Sequence, residues 1–382
     1  MPIFILVVFV PYLLLNYYVG SRLWQYIFAQ VAPGWGKVFW PAFALLALTP
    51  LAARLKALPV PTTVRDFLAF GGDYWLAALY YFVLLWLATD VGRFAARKLG
   101  LLAAGAGKPL VLGLAVAAAV GAIVVYGAWN ARNPQVAHYE VTIAKPAGGL
   151  EELRVVMVSD IHLGPIVNYR RLEGLIAMIN AREPDIVLLA GDMIDENVSY
   201  FVERKMAAPF LRLTPRYGVW AVPGNHEYLS GKLDEVMARL GEGGIRVLRD
   251  EYAKVGDGFY LVGRDDRRRA QFGDRGRKPL AEVMAGVDRR LPVLLMDHQP
   301  FDLDEAAGQG VDLQLSGHTH VGQMFPNNFV TGRIFEDDWG YLRKGPYQVI
   351  VSSGFGTWGP PIRVGNTPEI VDITIRFAKP AQ

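Results

Sequence analysis

Residues 153–162 read LRVVMVSDIH and residues 186–192 read IVLLAGD, and these two stretches decide the fold. Each is a short apolar run of the kind that forms a strand buried on both faces. Between them, residues 169–182 have the apolar spacing of a helix. Similar apolar runs recur at 218–222, 293–296, 313–315, 348–351 and 369–375. Strands that alternate with helices predict an α/β core.

Polar side chains follow five of these runs at the point where each apolar run ends. The side chains are Asp160 and His162, then Asp192, then Asn225 and His226, then His298, and then His318 and His320. Five of the chain's six histidines occupy these positions. Because ligands of open α/β sheets bind beyond the carboxyl ends of the strands, all five loops are expected to converge on one point.

The residue types at these positions favour a metal site. Carboxylates, imidazoles and one carboxamide suit two divalent ions such as Mn, Fe or Zn, rather than an all-oxygen Mg or Ca site. Residues at i and i+2 of an extended stretch point the same way, as Asp160 and His162 do. Any one of these fragments arises often by chance or forms an ordinary turn. Five of them in order, each after an apolar strand, are not a coincidence.

The motifs resemble those of a known family. Their order, Asp-x-His, Gly-Asp-x-x-Asp, Gly-Asn-His-Glu, His and Gly-His-x-His, resembles the signature of the calcineurin-like metallophosphoesterase superfamily, over residues 150 to 375. The fragments 315–323 (LSGHTHVGQ) and 361–371 (PIRVGNTPEIV) resemble its bacterial transmembrane branch. Two positions depart from that pattern. Val321 stands where glycine is common, and Asp297 stands where a small residue is expected before His298.

The resemblance implies a fold and a set of residue roles. The fold would be a β-sandwich flanked by helices, with a dimetal site at one edge. The first metal would be held by Asp160, His162 and His320, and Asp192 would bridge both ions. The second metal would add Asn225, His298 and His318. His226 would not bind metal but would act as the catalytic acid, oriented by Asp195 three residues after Asp192.

This arrangement suits hydrolysis of phosphate esters. Two divalent ions would bind the phosphoryl oxygens and acidify a water molecule, while His226 would protonate the leaving oxygen. Asn225 and Arg264 are the residues expected to contact substrate. Arg264 opens a basic stretch that ends at Lys278. This stretch is expected either to contact a phosphate or to be a solvated loop. Farther along, Trp339, Tyr341, Phe355 and Trp358 either line an apolar entrance or pack beneath a long loop.

The N-terminal third is rich in apolar runs. They cover Ile3–Val19, Val38–Ala53, Tyr74–Thr89 and Leu110–Trp129. A membrane-spanning helix needs about 20 residues, which the fourth run meets and the others reach only with their flanks. A buried helical bundle is the alternative, and a cleaved signal peptide would explain the first run alone. We expect about four transmembrane helices in residues 1–133 and a catalytic domain in residues 134–382.

The lysines and arginines of the loops predict an orientation. The first and third loops carry Arg22, Lys37, Arg93, Arg97, Lys98 and Lys108. The second loop and the exit of the last helix carry Arg54, Lys56, Arg65 and Arg132. Because positive residues accumulate on the cytoplasmic side, six against four favours cytoplasmic first and third loops. The catalytic domain of this multi-pass bacterial membrane protein would then lie outside the cytoplasm.

Composition narrows the partners. The net charge of +3, from 39 basic and 36 acidic residues, gives no reason to expect nucleic acid. The absence of cysteine excludes disulfides, zinc–thiolate sites and thiol nucleophiles. The partners expected are the lipid bilayer and a phosphodiester or pyrophosphate substrate, lipid-linked by preference. A phosphatase for a soluble nucleotide or phosphoprotein and a membrane scaffold with an inactive domain are the alternatives. Substrate, metal identity and oligomeric state stay open.

Overall fold

The computed structural model describes residues 5–55, 60–103, 106–195, 197–272 and 276–379. The chain divides into two compact units. One comprises Met1–Trp129 with Gly359–Ile362, and the other comprises Asn130–Trp358 with Arg363–Gln382. The domain limits expected from the sequence, 1–133 and 134–382, stay a prediction.

The first unit is helical. Its α-helices are α1 (Val10–Leu23), α2 (Ala29–Val31), α3 (Gly36–Arg54), α4 (Thr62–Lys98) and α5 (Leu110–Asn130), with π-helical turns at Ile5–Phe9 and Trp24–Phe28. Within the described residues, three helices are long and apolar enough to cross a membrane: Pro33–Arg54, Thr63–Lys98 and Leu110–Asn130. They contain the second, third and fourth apolar runs. The first run, Ile3–Val19, begins outside the described residues and is helical from Ile5 onward.

Two ion pairs bracket the apolar part of α4. The helix has 37 residues and is therefore about 55 Å long, whereas the hydrocarbon core of a bilayer is about 30 Å thick. Asp73 pairs with Arg54 at 2.9 Å, and Asp90 pairs with Arg22 at 2.8 Å. These two carboxylates lie about 25 Å apart along the helix, so the apolar run between them fits the hydrocarbon. Lys56, which entered the charge count, lies outside the described residues.

Over the described residues, the second unit contains twelve strands in two six-stranded sheets. The strands are β1 (Gln135–Ile143), β2 (Glu152–Val158), β3 (Ile186–Ala190), β4 (Val219–Val222), β5 (Ile245–Val247), β6 (Glu251–Val255), β7 (Phe259–Gly263), β8 (Val293–Met296), β9 (Leu313–Ser316), β10 (Gly340–Lys344), β11 (Tyr347–Val351) and β12 (Glu369–Phe377). The first sheet has the order β1-β12-β2-β3-β4-β5, and the second has the order β10-β11-β9-β8-β7-β6. Strands β2 to β5 are parallel, as are β7, β8, β9 and β11.

The sheets pack face to face as a sandwich. In β2, Val155 and Met157 point into the core shared with the second sheet, while Val156 and Val158 point toward helices. Because both faces of the strand are covered from Val155 onward, its sequence from Val155 to Val158 is continuously apolar instead of alternating. The predicted α/β sandwich, preceded by apolar N-terminal helices, is confirmed.

Short helices lie in the connections between the strands of this unit. They are α6 (Tyr169–Asn180), α7 (Val198–Glu203), α8 (Asn225–Leu229), α9 (Leu233–Glu242), α10 (Leu280–Val283), α11 (Leu303–Gly308) and α12 (Asn328–Ile334). Helix α6 begins where the Asn168 side chain accepts a hydrogen bond from the Arg171 amide. It buries one apolar face, at Leu172, Leu175, Ile176 and Ile179, against the first sheet. The carboxyl ends of the central parallel strands remain open to loops.

Candidate metal centre

The polar residues singled out in the sequence lie together at the carboxyl ends of β2, β3, β4, β8 and β9. Three groups each bring nitrogen and oxygen ligand atoms within 4.8 Å of one another. The groups are Asp160, His162 and His320; His162, Asp195 and His226; and Asp192, His298 and His318. The predicted convergence of five loops is therefore present in the fold.

The backbone of the site is strained. Five of these residues have left-handed φ angles: Asp160 (53°), His162 (52°), Asp192 (53°), His318 (73°) and His320 (48°). Such a conformation costs a non-glycine residue about 1–3 kcal/mol, and it persists only where the surroundings impose it. The strain is concentrated where the chain turns from strand to loop, so the fold maintains these side chains in a fixed arrangement.

The first group contains two facing imidazoles and a buried carboxylate. His162 Nε2 lies 3.1 Å from His320 Nε2, and His320 Nε2 lies 3.4 Å from Asp160 Oδ1. Asp160 Oδ2 accepts a hydrogen bond of 2.9 Å from the His318 amide. Three ligand atoms are thus aimed at one small volume, with their side chains fixed by the backbone.

The second group is organised around Asp192. His298 Nε2 lies 3.2 Å from Asp192 Oδ2, and His162 Nε2 lies 3.9 Å from the same oxygen. Asp192 therefore stands between the two groups, as expected of a bridging ligand. His298 Nδ1 donates to the carbonyl of Ala190 at 2.8 Å. Because that bond places the proton on Nδ1, the Nε2 lone pair faces the site.

The residues fit a pair of cations. Among the described residues, His162 Nδ1, Asn225 Oδ1 and His298 Nε2 are buried atoms that make no hydrogen bond. Buried polar atoms are nearly always hydrogen-bonded, so several orphans in one cluster call for a missing partner. Each of these unsatisfied atoms either offers a lone pair itself or belongs to a side chain that can offer one to a metal ion. A nitrogen and oxygen donor set of this kind matches divalent transition metals.

The histidines have different charge states. Burial, reinforced by neighbouring His226, lowers the pKa of His162 to about 3. Burial likewise lowers the pKa of His318, to about 4. Burial opposes protonation of His226 too, but the carboxylates of Asp192 and Asp195 raise its pKa to about 9. At neutral pH the first two are in the neutral form that binds metal, whereas His226 is in the form that can donate a proton.

His226 lies at the edge of the cluster. Its Nδ1 is 3.5 Å from Asp195 Oδ1, and its ring meets that of His162 edge-on with centroids 4.5 Å apart. The Asp195 amide donates to the Leu163 carbonyl at 3.0 Å, which holds the aspartate in place. The structure thus brings Asp195 and His226 together, in line with their predicted partnership.

Arg264 has a different environment from the one expected. Its side chain is buried, with Nη1 2.7 Å from Glu305 Oε2 and Nη2 donating to the Lys278 carbonyl at 3.2 Å. These contacts join both ends of the basic loop, within which Arg275 lies outside the described residues. The predicted substrate contact of Arg264 gains no support from them.

The unexpected aspartate before His298 also belongs to this loop. Arg277 Nη1 donates to both Asp297 carboxylate oxygens at 2.9 Å, and Arg264 Nη1 lies 3.7 Å away. All three side chains are at most 10% exposed. Buried charge is tolerated only when it is paired, so Asp297 and the basic loop depend on each other. The solvated-loop alternative is wrong for Arg264 and Arg277.

Two buried residues of the site were missed in the sequence. Glu227 accepts hydrogen bonds from the amides of Asp192, Ile194 and Gly224, which ties the second and third motifs together. Arg363 Nη2 lies 3.1 Å from His320 Nδ1 and donates to the Gly356 carbonyl at 2.7 Å. Glu227 belongs to the Gly-Asn-His-Glu motif and Arg363 to the fragment at 361–371. Both motifs were noted in the sequence, but nothing in them indicated the contacts that these two residues make.

Comparison with known proteins identifies the family. Residues 153–322 match the family model described as calcineurin-like phosphoesterase. An uncharacterized metallophosphoesterase of Aquifex aeolicus is 37% identical over 228 residues, which cover 59% of this chain and 85% of that protein. A transmembrane protein with metallophosphoesterase domain from Danio rerio is 32% identical over 288 residues, which cover 72% of this chain and 64% of that protein.

The chain belongs to the calcineurin-like metallophosphoesterase family, whose members generally bind two divalent metals. It spans 64% of the length of the zebrafish relative and 60% of the length of a bovine one with the same description. Among solved structures, a dimetal phosphatase from Danio rerio aligns with a TM-score of 0.36 and 13% identity, over 59% of this chain and 99% of that chain.

Proposed function

We propose that this protein is a membrane-anchored phosphoric ester hydrolase that works with two divalent metal ions. One observation carries the proposal. Ligand atoms from five strand ends converge within a few ångströms, in a buried cluster where several of them make no hydrogen bond. Buried polar atoms are nearly always hydrogen-bonded, and unsatisfied imidazole and carboxamide atoms gathered beside carboxylates fit a metal centre.

The ligands divide between two positions. Asp160, His162 and His320 would hold one ion, and Asn225, His298 and His318 would hold the other. Asp192 would serve both, since it lies between the two groups. Ions at these positions would neutralise charge on a phosphoryl group and make a water molecule more acidic. The identity of the metals is open to Mn, Fe or Zn, because this mixed donor set accepts each of them.

Residues of the chain itself supply the proton. His226 Nδ1 faces Asp195 Oδ1 at 3.5 Å, which would leave its Nε2–H to point toward the leaving oxygen of a bound ester. The nearby Asp195 carboxylate raises the pKa of this imidazole and so favours its protonated form. Asn225, next to His226 at the start of α8, would offer its carboxamide to the phosphoryl group as well as to metal. These are the roles of a general acid and of a substrate-orienting residue.

The preferred substrate is a phosphodiester or pyrophosphate in a lipid or lipid-linked molecule. The support is the anchor, because helices able to cross a membrane keep the site near lipid. The same helices support a multi-pass membrane location, and the resemblance to the bacterial transmembrane branch favours a bacterial cell membrane. The count of positive residues supports a catalytic domain outside the cytoplasm.

The decisive experiment is hydrolysis of bis-p-nitrophenyl phosphate and p-nitrophenyl phosphate by the full chain in detergent. The protein would be stripped of metal and reloaded with Mn, Zn, Fe or Mg, and bound metal would be counted per chain. We expect diester cleavage that needs metal and disappears in Asp192→Asn. Asp257→Asn is the matched control, because the Asp257 side chain is almost fully exposed and should leave activity unchanged.

Each other result has a distinct meaning. Cleavage of the monoester alone would replace the diesterase by a phosphatase. Two bound ions without turnover on either compound would indicate that the natural substrate is required. A chain that binds no metal under any condition would contradict the proposal and favour an inactive scaffold.

A further inference from the structure

An exposed apolar surface lies on the catalytic unit. We call it the rim patch and define it as Phe325, Phe329, Val330, Ile334 and Trp358, whose exposed fractions are 47%, 56%, 56%, 55% and 57%. Four of the five belong to α12 or the turn before it. Every residue of α12 is at least partly exposed, so the helix shows its apolar side chains outward instead of burying them.

The rim patch is continuous. The rings of Phe325 and Phe329 lie 5.7 Å apart. The Gln323 side chain donates to the Trp358 carbonyl at 3.0 Å and accepts from the Trp358 amide at 2.8 Å. Gln323 precedes Phe325 by two residues, so this pair of bonds fastens Trp358 beside the start of the α12 segment.

The rim patch also borders the metal centre. The Trp358 ring lies 6.2 Å from the ring of His226. At the other end of α12, Phe335 follows Ile334 and its ring lies 6.0 Å from that of His318. Phe335 itself is buried against Phe301, with ring centroids 4.6 Å apart. The rim patch therefore extends from beside the proposed acid to beside a proposed ligand, and about half of each of its side chains is exposed.

Such a surface calls for a partner. Soluble proteins seldom expose a contiguous patch of large apolar residues, and the exceptions mark protein or membrane contacts. Phenylalanine, tryptophan and aliphatic residues on one short element are typical of structures that lie in the interface of a bilayer.

We propose that the rim patch enters the headgroup boundary of the lipid bilayer. The length of the connecting chain selects this partner. Helix α5, which is able to span a membrane, ends at Asn130, and β1 begins at Gln135. Fully extended, this connection reaches about 18 Å, less than the width of a domain. A catalytic unit on so short a connection stays beside a bilayer that α5 spans, which favours lipid as the partner of an exposed apolar surface on that unit.

The contact would have a functional consequence. A rim that rests among the headgroups brings the metal centre to the level of the lipid phosphates. That consequence depends on the proposed hydrolase function, whereas the membrane contact itself does not.

The absence of cysteine makes the contact measurable by site-directed spin labelling. Phe329→Cys and Ile334→Cys would be labelled in the full chain and reconstituted into phosphatidylcholine bilayers. Leu211→Cys is the control, because Leu211 is 57% exposed and lies just before the amino end of β4, away from the strand ends that hold the site. We expect labels 329 and 334 to collide several-fold more with oxygen and several-fold less with a nickel chelate than label 211.

Two results would overturn the proposal. Labels 329 and 334 could show the same collision rates as label 211, which would mean that the patch stays in water. They could also be immobile and shielded from both reagents, which would mean that protein covers them. Lipid-type collision rates in a protein that hydrolyses no phosphate ester would keep the membrane contact and reject the hydrolase function, so the two failures are distinguishable.

Discussion

At the scale of single residues, the histidines of this site differ because their neighbours differ. His298 Nδ1 donates to the Ala190 carbonyl and leaves Nε2 facing Asp192, whereas His226 Nδ1 faces Asp195 and leaves its Nε2 for a substrate. The imidazole is the same in both cases, but the partner of Nδ1 decides which atom is offered and to what. Ligand and acid can therefore be separated by mutation.

Replacing His226 by alanine should leave the bound metal unchanged and reduce turnover by about 10²- to 10⁴-fold, the contribution usual for a general acid. Metal counted per chain and the rate of diester hydrolysis would test both parts. Asp195→Asn should give a smaller loss, because the imidazole remains but its orientation is no longer fixed by a charge. Full activity in the alanine variant would remove His226 from the mechanism.

Replacing Arg277 by methionine should destabilise the protein by about 3–5 kcal/mol, because it leaves the buried Asp297 carboxylate without its main partner. The midpoint of thermal unfolding in detergent would show the loss. The double variant Arg277→Met with Asp297→Ser removes both charges and should recover most of it. Arg290→Met is the control, since its partner Asp288 and its own side chain are at the surface. Equal midpoints for all variants would contradict the pairing.

At the scale of elements, the loops after the strands need close backbone contacts. Gly354, in the turn after β11, has a φ of +83°, and a Cβ there would lie 2.7 Å from the Asp160 Cβ. The turn after β11 therefore supports the first metal position without contributing a ligand. The proximity of these two loops depends on the sandwich, because β2 and β11 belong to different sheets.

Gly354→Ala should lower the amount of bound metal and the unfolding midpoint together, because the methyl group displaces Asp160. Gly345→Ala is the matched control. It has a φ of +65°, so it suffers the same backbone strain, but a Cβ there meets open space. Metal counted per chain in both variants is the measurement. If both variants lost metal equally, backbone strain would be the cause and not the contact with Asp160.

At the scale of the whole molecule, three helices of the described residues are able to span a membrane, but their direction across it is a separate matter. The bias in positive residues predicts a cytoplasmic connection between α4 and α5 and a catalytic domain on the other side. Arg93 and Arg97, which enter that count, contact backbone carbonyls of the same connection. Their charges are therefore located at that end of the helices.

A membrane-impermeant maleimide applied to spheroplasts should label Leu211→Cys at once and Leu99→Cys only after permeabilisation. Leu211 represents the catalytic unit and Leu99 the connection after α4, and both side chains are exposed. The unsubstituted chain, which has no cysteine, gives the background. The opposite labelling pattern would place the catalytic domain in the cytoplasm and contradict the predicted orientation.

Much of the fold could be predicted because its signals are local. Continuous apolar runs mark strands covered on both faces, and polar residues at their ends mark the open edge of the sheet. Positions 160 to 320 needed no tertiary information to be proposed as one site. The apolar runs at 38–53, 74–89 and 110–129 likewise indicated helices, although the ends of α4 lie beyond them.

Contacts between residues that are far apart in the sequence were decided by the tertiary structure alone. The charge of Asp297 is explained by Arg277 and Arg264, and Arg363 contacts His320, which lies 43 residues away in the sequence. The residues of the rim patch are apolar, as in a buried segment, so the sequence did not predict that they are exposed together on one surface. Local patterns follow from backbone geometry and apolar spacing, which the sequence by itself determines. Pairing and exposure follow from which elements pack together, and that is a property of the folded chain.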